Sequence, residues 1–137
     1  MIRTNIITPY GAVYEGLATG VNLPGTEGAF EVKFNHASLM SMLDIGKIIV
    51  REKGGKEEVF SVNGGFVEVN DNRVTVLAES AENVRDIDLE RARVAREKAT
   101  AKIKDDKAQK AAQDEVLKGE LALRRAINRI KLHELKR

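Results

Sequence analysis

The chain has 137 residues, 32% of them charged and 4% aromatic, with a net charge of +2 and no cysteine, so disulfide scaffolds, thiol nucleophiles and thiolate metal sites are out. Its two histidines, His36 and His133, lie in different halves, which argues against a histidine metal site. No window approaches the roughly 18 consecutive apolar residues of a membrane span, and the start, Met1 to Asn5, lacks the apolar stretch of a signal peptide, so a protein not exported by that route is expected. Composition then breaks near residue 86. Residues 1–86 carry 8 Lys/Arg against 12 Asp/Glu, and residues 87–137 carry 15 against 9, so the first part is acidic and the second basic. Ten of the eleven glycines, both prolines and all six aromatics fall in the first part, whereas the second is rich in Ala, Lys, Arg, Glu and Leu. Turn and strand residues followed by strong helix formers predict a two-domain α+β protein: an antiparallel β-sandwich over 1–85, then an antiparallel two-helix hairpin over 86–137.

In chain order, Thr8-Pro9-Tyr10-Gly11 and Pro24-Gly25-Thr26-Glu27-Gly28 mark turns between short apolar runs. A hairpin joins Gly46–Arg51 to Glu57–Val62 around Lys53-Gly54-Gly55-Lys56, and a second joins Phe66–Val69 to Val74–Leu77 around Asn70-Asp71-Asn72. In the second, Val67 and Val69 alternate with Phe66 and Glu68 across the sheet. Gly64-Gly65 lacks the lysine and following helix of a phosphate loop and reads as a tight strand connection.

Asp86 or Asp88 is placed to cap the first helix, whose Ala92, Ala95, Ala99 and Ile103 form a narrow stripe. Lys104-Asp105-Asp106-Lys107 is expected to interrupt it, and Asp106 with Gln109 resembles a capping box opening the second helix. Ala112, Val116, Leu123, Ala126, Ile127 and Ile130 give that helix a wider apolar face. Small side chains bury little area, at roughly 25 cal/mol per Å2, against an ordering cost of about 1–2 kcal/mol per residue. The hairpin is therefore expected to be marginal by itself and able to open or dock elsewhere. No nucleophile-base pair or ligand cluster can be assembled from the chain, so an enzyme in its own right is the least favoured reading.

The ordered set Ile7-Thr8-Pro9, Tyr14-Glu15-Gly16, Leu23-Pro24-Gly25-Thr26-Glu27-Gly28, Asn35-His36-Ala37, Gly64-Gly65-Phe66-Val67-Glu68-Val69, Val74 to Glu79 and Ile87 to Ala92 resembles the epsilon subunit of bacterial F-type ATP synthases, nearly end to end. The resemblance implies a non-catalytic rotor subunit. Its sandwich binds the gamma subunit and rests on the ring of c subunits; its helices fold as a hairpin or extend along gamma toward the alpha and beta subunits and block ATP hydrolysis. It further implies a peripheral place on the cytoplasmic face of the bacterial plasma membrane.

Ile87-Asp88-Leu89-Glu90-Arg91-Ala92 matches the pattern by which some members of that family bind ATP, and no other cofactor is implied. Carried over, the set is Glu82, Ile87, Asp88, Arg91, Ala92, Lys98, Arg125 and Arg129, with Lys98 standing where ATP-binding relatives have arginine. Folding the hairpin about Asp105-Asp106 is expected to set Arg125 opposite Ile87 and Arg129 opposite Glu82. The plainer alternative is a capping Asp88 and ion pairs from Arg125 and Arg129 to Asp86, Asp88 or Glu82.

The segment from Glu27 to His36 is the implied contact with gamma and the c ring. Ala29, Phe34 and Ser38 depart from the acidic or proline residues often found there, so an apolar contact through Phe30 or Phe34 is expected instead of an electrostatic one. The competing role for both is core, favoured for Phe30 and open for Phe34. His36 reads as a hydrogen-bonded structural residue near that surface. The basic face of the last helix, Arg124, Arg125, Arg129, Lys131, Lys136 and Arg137, matches the charges that meet the beta subunits in the extended state, with Arg124, Arg125 and Arg129 as the inhibitory contact. The second reading is an independent anion- or nucleic-acid-binding module. Interspersed Glu120 and Glu134 and the lack of any aromatic for base stacking in the second part speak against nucleic acid.

Overall fold

The computed structural model describes residues 1–134, so Lys136 and Arg137 of the basic face lie outside the described residues. The chain divides into two compact units, Met1–Asn83 and Val84–Arg137.

The first unit holds eight strands: β1 (Ile2–Thr8), β2 (Gly11–Ala18), β3 (Gly20–Leu23), β4 (Phe30–Lys33), β5 (Leu39–Arg51), β6 (Glu57–Asn70), β7 (Arg73–Ala78) and β8 (Ala81–Asn83). Hydrogen bonding orders them β2-β1-β7-β6-β5-β3-β4, with β8 on β6. All ladders are antiparallel except β1 against β7, which is parallel. Both expected hairpins form in register, Gly46 facing Val62 and Phe66 facing Leu77.

The sandwich is made by two strands of 13 and 14 residues, β5 and β6, that belong to both layers. Their first-layer halves carry β7, β1 and β2; their other halves carry β3, β4 and β8. Between the halves the ladder steps from Leu43 opposite Gly65 to Ile45 opposite Asn63, skipping Asp44. There the Asp44 N–H leaves β6 and donates to the Pro24 carbonyl at 2.8 Å. Gly64-Gly65 thus lies inside β6 at the corner, not between strands. Gly65 has φ 151, and a Cβ on it would lie 2.4 Å from the Leu77 carbonyl oxygen, so glycine is required. Alternation then fills the interior with β-branched residues, including Ile2, Ile6, Val21, Ile48, Val50, Val62, Val67, Val74 and Val76.

The second unit opens with a single 3-10 turn, Val84–Asp86, followed by α1 (Leu89–Ala108) and α2 (Gln113–His133). Asp88, not Asp86, is the cap, accepting the Arg91 N–H at 3.1 Å. The expected interruption at Lys104–Lys107 is absent. Lys102 pairs with Asp106 at 2.7 Å and Gln109 donates to Asp105 at 3.2 Å, two contacts one turn apart that hold those residues helical. The Asp106 bond also raises the Lys102 pKa. The turn falls instead at Gln109–Ala112. Lys110 takes φ 55, Ala111 N–H reaches the Asp106 carbonyl at 2.8 Å and Lys110 N–H the Lys107 carbonyl at 3.3 Å, a Schellman closure without its usual glycine. Asp106 does not cap α2; Ala112 does, with no side-chain hydrogen bond.

Candidate functional site

The relocated turn resets which residues of the hairpin face each other. Gly119 lies against Ile103, and the ion pairs Lys102–Glu115 (3.7 Å) and Lys107–Glu120 (3.9 Å) flank that crossing. Counting outward from Ile103 and Gly119, Arg125 is level with about Glu97 and Arg129 with about Arg93, not with Ile87 and Glu82 as expected. At 1.5 Å per residue this leaves Arg125 about 14 Å from Asp88 along the pair's axis. Arg91 and Lys98, seven residues apart, are exposed on α1, whereas Arg125 and Arg129 are half-buried on α2. Ala92 and Ile87 are buried, and the Asp88 carboxylate is engaged as the helix cap. Glu82 belongs to the strand unit, on β8 opposite Ser61. Four cations therefore line the first half of α1 and the second half of α2, instead of converging on the helix start. Of the apolar stripes, Ala92, Ala99, Gly119 and Ala126 are buried, while Ala95, Ala112 and Ile127 face solvent. Arg124 and Lys131 are exposed on α2.

In the strand unit the two loops of the Glu27–His36 segment differ in character. Glu27 is exposed in the turn closed by Gly28 N–H on the Gly25 carbonyl at 3.0 Å. Phe30 opens β4 opposite Leu23 and packs against the core, as its favoured reading has it. Phe34 is 58% exposed. It is presented by a braced loop: Asn35, at φ 62, donates its N–H to Asn72 Oδ1 at 2.6 Å, and Ser38 donates to Asn70 Oδ1 at 3.0 Å. His36 Nδ1–H donates to the Ala37 carbonyl at 2.7 Å and its N–H to the Lys33 carbonyl at 3.1 Å, which fits a structural residue.

A feature missed in the sequence is the outer face of the first layer. Successive register pairs Met42–Phe66, Phe66–Leu77, Leu77–Ile7 and Ile7–Ala12 set an apolar row across five strands. Met42 and Leu77 are 58% and 53% exposed, and Met40 beside them 65%. A row of apolar side chains left exposed on one face of a sheet is a surface suited to contact with another chain. The signal was present: Phe66 alternating with Val67 already put an aromatic on the outer face, and Leu77 follows Val76 in the same way.

Among the described residues no helix is long and apolar enough to cross a membrane, and no group of three or more His, Asp or Glu is arranged to hold a metal ion. A strand sandwich with an apolar outer face, followed by a charged helical hairpin, defines a two-part α+β protein whose distinctive surfaces suit contact with other chains. The sequence matches the family "ATP synthase, Delta/Epsilon chain" over both of its parts, the beta-sandwich domain at residues 1–84 and the long alpha-helix domain at residues 85–134, and the chain belongs to that family. It is 40% identical over 133 residues to the ATP synthase epsilon chain of Desulforapulum autotrophicum, covering 97% of this chain and 96% of that one. It is 39% identical over 132 residues to the epsilon chain of Lacticaseibacillus casei, covering 95% and 92%. Among solved structures it is similar to a chain of the Euglena gracilis mitochondrial ATP synthase OSCP/F1/c-ring assembly, with TM-score 0.78, 25% identity, and coverage of 93% of this chain and 78% of that one.

Proposed function

We propose that this chain is a non-catalytic rotor subunit of an F-type proton-translocating ATP synthase, joining gamma to the c ring at the cytoplasmic face of the bacterial plasma membrane, with helices that restrain ATP hydrolysis. The observation that carries it is the exposed apolar row Met42–Phe66–Leu77–Ile7 on the sandwich of a member of this family. That row is the surface offered to gamma. Phe34, held out on its braced loop near Glu27 and His36 in sequence, is offered to the c ring, while Phe30 supports it from the core. The test of this reading is copurification. The full chain is expected to form a complex with purified gamma at micromolar concentration with little RNA carried along; nucleic acid that falls away steeply with salt would favour the second reading instead.

The inhibitory role rests on the helical unit. A hairpin that buries mainly alanine, glycine and a few larger side chains is separated from an open arrangement by little free energy, which is what a two-state element requires. In the extended state Arg124, Arg125 and Arg129 engage acidic segments of the beta subunits, with alpha alongside. Replacing all three by glutamine is expected to raise ATP hydrolysis by the assembled enzyme several-fold; hydrolysis equal to that of the unaltered enzyme would end that role.

ATP is the regulatory ligand of the folded hairpin in this reading, held by Arg91, Lys98, Arg125 and Arg129 along the groove between the helices. Two half-buried arginines on α2 support it, since the guanidinium fork matches phosphate oxygens with paired, charge-assisted hydrogen bonds. Titrating ATP into the full chain is expected to give a saturable heat that Arg91→Ala or Arg129→Ala weakens by roughly tenfold. A flat titration at millimolar ATP removes nucleotide sensing from the account.

A further inference from the structure

The outer face that carries the apolar row also carries two rows of charge, and their order is unusual. Next to the apolar row runs Met40–Glu68–Thr75–Asn5–Glu15, and beyond it Asn70–Arg73–Arg3–Leu17, each set by register across the same strands. Arg3 and Arg73 are direct neighbours on the parallel β1 and β7 strands, which lie about 4.8 Å apart. Both are exposed, and among the described residues neither guanidinium has an ion pair. With Asn5, Glu15 and Leu17 they line an open depression of about 420 Å3. Glu68, Asp71 and Thr75 bound a second depression on the other side of Arg73.

Like charges directly opposed on adjacent strands weaken a sheet. Glu15 and Glu68 stand one row away, yet the side chains do not pair with the arginines to relieve the repulsion. A local rule broken without internal compensation points to a partner that supplies the compensation.

We infer that Arg3 and Arg73 form a two-pronged receptor for carboxylates of the protein docked on the apolar row, so that apolar, acidic and basic stripes together fix its register. This rests on the reading that the first-layer outer face receives gamma, and it specifies the chemistry: apolar side chains over Met42, Phe66 and Leu77, and at least one Asp or Glu over the arginine pair. Charge rows of this kind add more to register and encounter rate than to raw affinity, and their effect is largest at low salt.

The test uses the full chain and purified gamma at low and high salt, with three variants. R3E/R73E is expected to weaken the complex by about tenfold or more at low salt, with a smaller loss at high salt. R3T/R73T is expected to raise the melting temperature of the free chain while weakening the complex, a combination that damage to the fold cannot produce. M42D/L77D removes the docking face itself. If M42D/L77D abolishes binding while R3E/R73E leaves affinity and salt dependence unchanged, the arginine receptor is overturned and the docking face stands. If neither pair affects binding, the reading beneath it falls as well.

Discussion

Replacing Gly65 by alanine lowers the stability of the strand unit by about 3 kcal/mol or more. The added Cβ meets the Leu77 carbonyl oxygen at 2.4 Å, the Ala78 Cα at 2.9 Å and the Leu77 carbonyl carbon at 3.2 Å. These are backbone atoms of β7, held to β6 by the ladder that ends at the Gly65–Ala78 pair and, just beyond it, by the Glu79 N–H on the Gly64 carbonyl at 3.3 Å, so they cannot withdraw without breaking pairing. A φ of 151 adds the penalty of a conformation that side chains resist. For a unit of this size each kcal/mol is roughly 4–8 °C, so the thermal midpoint falls by about 12 °C or more. Gly54→Ala is the control, because its φ of 93 is equally unsuited to alanine while nothing lies within 4 Å of the added atom. Equal losses in the two variants would show that conformation alone, not the close approach at the corner, demands glycine.

The second large effect belongs to Gly119, a glycine in the middle of α2 where helix propensity alone favours almost any other residue. Its Cβ would stand 2.9 Å from Ile103 Cγ1 and 4.0 Å from the Ile103 backbone nitrogen, so α1 passes close over it. Gly119→Val gains a little helix propensity and forces the helices apart, a net loss of about 1–3 kcal/mol. Hydrogen exchange of α2 amides is expected to speed up by roughly 5- to 150-fold at that crossing. Adding Ile103→Ala makes room for the valine and restores much of the protection. Exchange that is unchanged in Gly119→Val would mean the two helices do not depend on this approach. On the proposed function, the same variant is expected to raise ATP hydrolysis by the assembled enzyme if an opened hairpin loses its restraint, and unchanged hydrolysis would separate this packing from that role.

The sequence disclosed architecture better than it disclosed surfaces. Both β-hairpins were legible because Gly54-Gly55 and Asn70-Asp71-Asn72 announce their turns and the flanking residues alternate. The helical turn was misplaced for a physical reason. Its left-handed position is filled by Lys110, a residue that gives no stop signal, whereas Asp105 and Asp106 look like a break but are recruited into contacts with Gln109 and Lys102. That error of a few residues moved Arg125 from the level of Ile87 to that of Glu97, about 15 Å along the hairpin. The apolar row was harder still. Met42, Phe66, Leu77 and Ile7 are far apart in sequence, and only the register of the strands that carry them sets them side by side. Hydrophobicity alone does not say which face of a strand Met42 or Leu77 takes.

Strands β5 and β6 run through the corner without ending, so the two layers are one ribbon folded over itself instead of two plates pressed together. In a sandwich of separate sheets, sideways load is resisted by interlocked side chains, which slip. Here a push on the outer surface of one layer travels along covalent backbone into the other. Such a block is stiff, and on the proposed function whatever grips one side would move the opposite side with it.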